Sequence, residues 1–202
     1  MSAEDRLKWD SKHTARGFFP PLPSKLLTAH QAFLPQSPAG GKALDVAGGS
    51  GRHALWLAER GFAATLVDVS EAGLQIARDE AAARRLDVTT LCADLETDPF
   101  PPGPWQVILC FHYLHRPLFA EFAAQLAADG VIMIVQPTIR NLERHSRPSR
   151  SFLLEEGELP QLAAKNGLHP VVHEEGWSSE GRHEALLIAR VERSGWSGWQ
   201  DL

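Results

Sequence analysis

Residues 42–53 read KALDVAGGSGRH, and this stretch decides the fold. The apolar run that carries Asp45 predicts a buried β-strand, the glycines after it predict a tight turn, and Arg52 to Arg60 predicts a helix that Gly61 ends. Glycine suits this turn because the chain has to leave the strand sharply and because a ligand has to approach the backbone. The first N–H groups of the helix have no partner within it, so they would face a ligand above the turn. The stretch therefore predicts a strand–turn–helix unit that binds a ligand.

Acids follow two further apolar runs along the chain. Residues 63–67 lead into Asp68, and residues 88–93 lead into Asp94. If the sheet is parallel, these two acids and Asp45 lie along the edge where the strands end, which is where such sheets bind ligands. A carboxylate at the tip of the second strand can accept both hydroxyls of a ribose. Acids at such positions also act as helix N-caps, but three of them beside one glycine turn favour a binding site.

Two kinds of cofactor fit such a site. Residues 49–54 match the G-x-G-x-x-A dinucleotide pattern, and Asp68 follows at about the expected distance, so a nicotinamide cofactor stays open. Against it stand Asp45 inside the first strand and a length of 202 residues, which is short for a dinucleotide fold plus a substrate domain. A hydride-transfer pattern such as Tyr-x-x-x-Lys is also missing from the sequence.

The segment from Asp45 to Arg52 resembles the first motif of class I S-adenosylmethionine-dependent methyltransferases, in the variant that has Ala47 in place of the first glycine. The resemblance covers about residues 40–192. It implies an α/β fold: a Rossmann-like, seven-stranded, mostly parallel sheet with a C-terminal antiparallel hairpin and helices on both faces. The expected organisation is an N-terminal arm and helix (1–39), the S-adenosylmethionine-binding methyltransferase domain (40–192) and a tail (193–202).

Within that superfamily the chain is most similar to the small tellurite-resistance-type methyltransferases. The similarity lies in Trp9-Asp10 of the arm, in the F-x-x-x-E-G-E-L segment at 152–159, and in the H-E-E-G and R-H-E-A segments of the predicted hairpin at 168–192. The family tends to have a Tyr where this chain has His13. We expect the arm to be extended up to a helix at 24–34, with Trp9 and Phe18-Phe19 either packed outside the sheet or forming a lid over the cofactor.

The resemblance implies S-adenosyl-L-methionine as the cofactor and assigns residues to it. The backbone at the glycine turn would face the methionine part, Asp45 would attract its ammonium, Asp68 would hold the ribose and Asp94 would accept from the adenine amino group. The cofactor-binding residues expected on this basis are Asp45, Ala47, Gly48, Gly49, Gly51, Asp68, Val69, Asp94, Leu95 and Phe111.

The residues after the predicted fourth strand (105–111) should border the methyl group. His112 or His115 could act as a general base and Tyr113 could position the substrate, although each histidine could equally have a surface or N-cap role beside a helix predicted at 116–128. We expect His53, in the first helix of the domain, to be structural.

Four arginines stand against one acid between Arg140 and Arg150. This aperiodic segment follows the predicted fifth strand, so it starts at the ligand-binding edge. We predict that Arg147 and Arg150, with Arg116 as a third member, bind an anionic methyl acceptor. The alternative is a solvated surface loop.

Composition narrows the function further. A net charge of −5 argues against a surface that coats nucleic acid, and 44% hydrophobic residues suffice for one domain with a sizeable core. Cys92 and Cys110 lie in apolar runs, so we expect buried free thiols and no metal site. The sequence shows no signal peptide and no apolar run near 18 residues, which predicts a cytoplasmic protein without a membrane partner.

The sequence therefore predicts an S-adenosylmethionine-dependent methyltransferase acting on a small, anionic or chalcogen-containing molecule. The alternatives are a nicotinamide-linked oxidoreductase and a non-catalytic nucleotide-binding regulatory module.

Overall fold

The computed structural model describes residues 3–16, 22–36 and 40–191. Phe18, Phe19 and the predicted tail at 193–202 lie outside the described residues. The strands are β1 (Lys42–Val46), β2 (Ala63–Asp68), β3 (Val88–Cys92), β4 (Trp105–Phe111), β5 (Leu126–Pro137), β6 (Leu168–Trp177) and β7 (His183–Val191). The α-helices are α1 (Ala3–Arg16), α2 (Lys25–Ala29), α3 (Arg52–Ala58), α4 (Glu71–Arg84), α5 (Leu118–Gln125) and α6 (Glu158–Lys165). Short 3₁₀ turns cover Gln31–Phe33, Ile139–Glu143 and Arg150–Phe152.

The seven strands form one sheet in the order β3-β2-β1-β4-β5-β7-β6. Neighbours among β1 to β5 pair in parallel, whereas β7 runs antiparallel to both β5 and β6. This arrangement confirms the predicted fold class. The five parallel strands end at one edge of the sheet, called the carboxyl edge below. Because β7 is antiparallel, its first residues also lie at this edge, with Glu184 opposite Pro137 of β5.

Helices cover both faces of the sheet, as predicted. Alternate residues of β4 enter two hydrophobic clusters: Ile108 packs with α5 and α6, whereas Val107 packs with α3 and α4. Phe119 and Phe122 of α5 are the largest fully buried side chains on the first face. No described helix combines the length and apolar character needed to cross a bilayer.

The N-terminal arm differs from the prediction, because residues 3–16 form helix α1 rather than an extended segment. This stretch contains neither proline nor glycine, so nothing in it interrupts a helix. The helix predicted at 24–34 is shorter than expected: α2 ends at Ala29, and a 3₁₀ turn follows. Ser24 caps α2, because its hydroxyl oxygen accepts from the Leu26 N–H.

The bounds of the helix predicted at 116–128 were wrong at both ends. Helix α5 begins at Leu118, and from Leu126 the chain already belongs to β5, where Leu126 pairs with Trp105 of β4. Pairing with a buried central strand outweighs the helix preference of the alanines at 127 and 128. Cys92 was also mispredicted: it is exposed, because β3 is an edge strand, whereas Cys110 is buried in β4.

Candidate functional site

The glycine turn after β1 combines residues needed for packing with one that faces a neighbouring helix. A Cβ on Gly48 would lie 2.3 Å from Asp45 Oδ2, so the fold itself requires glycine at this position. Gly49 has a left-handed φ of +60°, and the neighbour that a Cβ there would meet is the His13 ring, with Cε1 at 3.1 Å. Ala47, which replaces the first glycine of the motif, also has a positive φ of 52°. The turn therefore presents its backbone around Gly49 on the side where α1 lies.

Asp45 is buried and points towards the start of α3. Its Oδ2 accepts from the Ala54 N–H at 3.0 Å, whereas Oδ1 accepts no hydrogen bond from the described residues. His53 lies beside it, with Nδ1 3.8 Å from Oδ1, and its Nε2 accepts from the Ser24 N–H. Burial lowers the pKa of His53, against the effect of Asp45. A buried, neutral histidine that joins α2 to α3 fits the structural role expected for it.

Asp68 ties the glycine turn to the start of α4. One carboxylate oxygen accepts from the Gly49 N–H and the other from the Ser70 N–H, each at 2.8 Å. Burial raises the pKa of Asp68, although these two hydrogen bonds act in the opposite direction. Val69, beside it, is buried. These two hydrogen bonds therefore fix the carboxylate of Asp68, the residue predicted to bind the ribose, at the tip of β2.

Asp94 and Leu95 follow β3 at the same edge, and both are buried. Asp94 Oδ1 accepts from the Glu96 N–H at 3.0 Å, which fixes the carboxylate in the loop after the strand. The parallel register places Asp68 opposite Cys92, two residues before Asp94. The structure thus brings the three acids of the sequence prediction to one edge of the sheet.

Helix α1 covers this edge, which the sequence left open. Asp10 Oδ1 accepts from the Ser70 hydroxyl at 2.6 Å and from the Ala72 N–H at 3.1 Å, so it caps α4. The hydrogen bond from Ser70 is the main cause of the lowered pKa of Asp10. The ring of His13 then lies over the turn, close to both Gly49 and Gly73. The two alternatives expected for Trp9 stay open, since these contacts are made by Asp10 and His13 and the Trp9 side chain is 38% exposed.

On the other side of the turn, β4 ends in Phe111, whose ring centroid is 4.3 Å from that of His53. His112 follows with a left-handed φ of +61°, and its Nε2 is 2.6 Å from Glu184 Oε1. Tyr113 is half-buried, and its hydroxyl has no hydrogen-bond partner among the described residues. Burial raises the pKa of Tyr113 far above its ordinary value, so the phenol stays protonated. In the sequence Glu184 is part of the R-H-E-A segment, and its contact with His112 was not predicted.

The remaining predicted acceptor residues have other contacts. Arg116 forms a two-pronged ion pair with Glu158, with Nε to Oε1 at 2.6 Å and Nη2 to Oε2 at 2.9 Å, and thereby links the start of α5 to that of α6. The His115 carbonyl accepts from the Leu118 N–H, in the turn that opens α5. Arg116 is thus engaged in an ion pair, and Glu155, the partner of Arg150, is also within its electrostatic reach. The roles predicted for His115 and Arg116 stay predictions.

The arginines of the segment at 140–150 are mostly engaged with neighbours. Arg144 stacks 3.7 Å above the Trp177 ring, and the other contacts are Arg140 with Glu143 at 2.8 Å and Arg150 with Glu155 at 2.6 Å. Arg147 is exposed. Within the described ranges, no group of three or more His, Cys, Asp or Glu side chains is placed to hold a metal ion.

Comparisons with known proteins agree with this geometry. Residues 43–130 match a family model described as a methyltransferase domain. This match spans the glycine turn and the first four strands, and over these residues it indicates a methyltransferase domain. The resemblance proposed from the sequence is confirmed, and the nicotinamide alternative finds no support.

Solved structures place the chain more particularly among proteins of the same fold. A TehB-like SAM-dependent methyltransferase from Corynebacterium glutamicum has a TM-score of 0.63 at 17% identity, over 94% of this chain and 97% of that one. TehB from Haemophilus influenzae has a TM-score of 0.68 at 16% identity, over 91% of this chain and 67% of that one. A geranyl diphosphate C-methyltransferase from Streptomyces coelicolor, in complex with S-adenosyl-L-homocysteine, has a TM-score of 0.65 at 18% identity, over 83% and 80%. No curated protein matches the chain in sequence.

Proposed function

We propose that this methyltransferase methylates a small molecule that binds over the carboxyl ends of β4 and β5, beside His112. The observation that carries the proposal is the common edge at which the glycine turn, Asp68 and Asp94 meet the end of β4. A small acceptor is also consistent with one structural neighbour, a geranyl diphosphate C-methyltransferase.

The residues present at this edge fit the cofactor. The carboxylate of Asp68 would accept the ribose hydroxyls, and Asp94 and Leu95 would bind the adenine. Asp45 Oδ1 and the Tyr113 hydroxyl are buried polar atoms without a hydrogen-bond partner among the described residues, which suits a site completed by a polar ligand. When bound, the cofactor supplies a methyl group on a positively charged sulfur.

The chain's own contribution is alignment and the exclusion of water. A fixed, in-line arrangement of the two reactants can provide about 7–11 kcal/mol of the barrier reduction. The side chains that fix the turn are held by short hydrogen bonds, and α1 covers the turn from the solvent side through Asp10 and His13. We infer that α1 has to move for the cofactor to enter and leave.

An anionic or chalcogen-containing acceptor stays a prediction. It rests on Arg147 and Arg150. Arg150 pairs with Glu155, and Arg147 is exposed. An acceptor bound by this segment would therefore have to displace Glu155 from Arg150. The surface-loop alternative requires no such exchange.

Calorimetry with S-adenosyl-L-homocysteine and with NAD in parallel tests the cofactor assignment. We expect micromolar binding of the first compound and none of the second; the reverse result would overturn the proposal. Mass spectrometry of reactions with tellurite, selenite, thiols and small carboxylates then tests for a methylated product. Cofactor binding without turnover on a broad panel of small molecules would favour the non-catalytic module.

A further inference from the structure

A histidine and a carboxylate form a close pair at the end of β4. His112 Nε2 is 2.6 Å from Oε1 of Glu184, although the two residues are 72 positions apart in the sequence. The Glu184 side chain is 6% exposed and the His112 side chain 30% exposed. Burial alone would raise the pKa of Glu184, but the hydrogen bond and charge of His112 lower it, so the carboxylate is ionised at neutral pH.

The pair fixes the proton on the imidazole. A carboxylate only accepts hydrogen bonds, so in the neutral imidazole Nε2 carries the proton and Nδ1 keeps a lone pair. The ring is also anchored through its backbone, because the His112 N–H donates to the Val135 carbonyl at 2.8 Å. A left-handed φ at a residue other than glycine marks a position that its surroundings hold in place. The ring, whose side chain is 30% exposed, is therefore held at the carboxyl edge with Nδ1 as its proton acceptor.

The charged surroundings of the pair come from three elements. Arg52 at the start of α3 and Arg182 of the loop between β6 and β7 are within electrostatic reach of Glu184, and Glu180 of the same loop is within reach of Arg52. His53 of α3 is neutral at physiological pH, because burial lowers its pKa. On β7, His183 is bonded through Nδ1 to the Thr138 hydroxyl at 2.7 Å.

The other described candidates at this edge are unsuited to accept a proton. Asp68 and Asp94 each accept backbone N–H bonds, and Asp45 is buried against α3. The phenol of Tyr113 stays protonated, because burial raises its pKa. Compared with these four side chains, the neutral imidazole of His112 is the better proton acceptor.

We propose that Nδ1 of His112 is the general base of the methyl transfer, that Glu184 is its positioning residue, and that the acceptor is a hydroxyl or thiol compound whose nucleophilic atom carries a proton. This inference rests on the proposed function. As the acceptor's heteroatom bonds to the methyl carbon, its proton moves to Nδ1, and the carbon–sulfur bonding pair stays with the sulfur of the cofactor. The positive charge lost at sulfur is gained by the imidazole, so atoms and charge balance.

Nitrogen-15 NMR of the histidine-labelled full chain tests the pair without an acceptor. At about pH 8.5, above the usual range of imidazole titration, we expect His112 to be protonated on Nε2 alone. S-adenosyl-L-homocysteine should shift its signals. Glu184→Gln should give a mixture of both tautomers, because an amide can either accept or donate. The matched control is Glu174→Gln, since Glu174 faces His30 in a second His–Glu pair at 3.2 Å on the surface; it should leave the His112 signals unchanged.

Kinetics with 2-mercaptoethanol as the probe, whose thiol and hydroxyl groups both carry a proton, then separate catalysis from structure. His112→Asn keeps a residue that tolerates the left-handed backbone and should lower kcat about 100-fold or more, with KM little changed. Glu184→Gln should lower kcat about tenfold or more, because the wrong tautomer becomes populated. Both variants should bind S-adenosyl-L-homocysteine as the parent does.

The outcomes are distinguishable from a failure of the proposed function. If the parent does not bind S-adenosyl-L-homocysteine, the methyltransferase proposal itself is overturned. If it binds, but His112 is protonated on Nδ1 or keeps a single tautomer in Glu184→Gln, the positioning role is refuted. The NMR result decides this point even when 2-mercaptoethanol is not methylated, and a full kcat in His112→Asn refutes the base.

Discussion

Replacing Asp68 with Asn tests the cofactor half of the site most directly. Each carboxylate oxygen accepts one backbone N–H at 2.8 Å, from Gly49 or from Ser70. A carboxylate oxygen has about two acceptor positions, so each keeps one for a ribose hydroxyl. In Asp68→Asn, one of the two atoms becomes an NH₂ group. It faces a backbone N–H as a second donor, and it can no longer accept from the ribose.

The expected loss of affinity follows from the lost charge. A hydrogen bond to a charged group contributes about 1.5–3 kcal/mol. Since each 1.4 kcal/mol is a factor of ten, the Kd for S-adenosyl-L-homocysteine should rise about 10- to 150-fold.

Stability should respond differently from affinity. Burial raises the pKa of Asp68 above its value in the unfolded chain, so ionisation disfavours the folded state. This residue's contribution is therefore most favourable below the unfolded pKa and is lost as the pH rises through the folded one. The neutral Asn avoids that loss at pH 7, which offsets the broken backbone hydrogen bond. We expect a melting temperature close to that of the parent.

Calorimetry and thermal unfolding monitored by circular dichroism measure the two effects. The control is Asp79→Asn, which removes the same charge from an exposed side chain on α4 that accepts from Gln75; it should leave the Kd unchanged. A folded Asp68→Asn protein that binds as tightly as the parent would refute the ribose assignment.

Three further changes test neighbouring features. Gly49→Val should abolish S-adenosyl-L-homocysteine binding in calorimetry, because a branched side chain at φ +60° would fill the turn beside His13; unchanged affinity would show that the turn does not face the cofactor. Ala47→Gly should stabilise the protein by about 0.5–1 kcal/mol in urea unfolding, since a left-handed alanine costs about 1–2 kcal/mol and glycine loses about 0.4–1 kcal/mol through its unfolded state; a less stable variant would contradict this strain. Alanine at both Arg147 and Arg150 should raise the KM for an anionic probe such as selenite and flatten its salt dependence without changing cofactor affinity, whereas an unchanged KM would support the surface-loop alternative.

The position of Asp45, Asp68 and Asp94 at one edge of the sheet could be predicted, because each acid lies at or near the end of an apolar run. Each acid directly follows or closes an apolar run, and a parallel sheet brings the ends of such runs to one edge. Asp68 lies beside the glycine turn because β1 and β2, which are consecutive strands in the sequence, pair in parallel. The roles of Gly48 and Gly51 were only partly foreseen, because a Cβ on Gly51 would meet the Ala77 side chain of α4 at 2.8 Å, a contact that exists only after folding.

The arm was mispredicted for the opposite reason. What positions α1 is the bond from Ser70 to Asp10, across 60 positions of sequence. A polar segment of this kind has no apolar stripe of its own to indicate a helix, and most helical stability in proteins comes from tertiary contacts. The Trp9-Asp10 pair was a family signal that the arm matters, but it did not say that Asp10 caps α4.

The region predicted to bind the methyl acceptor could not be predicted as well, because its charged side chains pair with residues that are distant in the sequence. Counted along the sequence, Arg116 and the arginines at 140–150 form a positive cluster, but Arg116 meets Glu158 across 42 positions. The fold also brings His112 and Glu184 together across 72 positions of sequence. In a sheet where β7 continued in parallel after β5, Glu184 would lie at the opposite edge; the antiparallel insertion of β7 between β5 and β6 brings it to the end of β4. The contact between His112 and Glu184 therefore follows from strand order, which the hairpin pattern in the sequence does not specify.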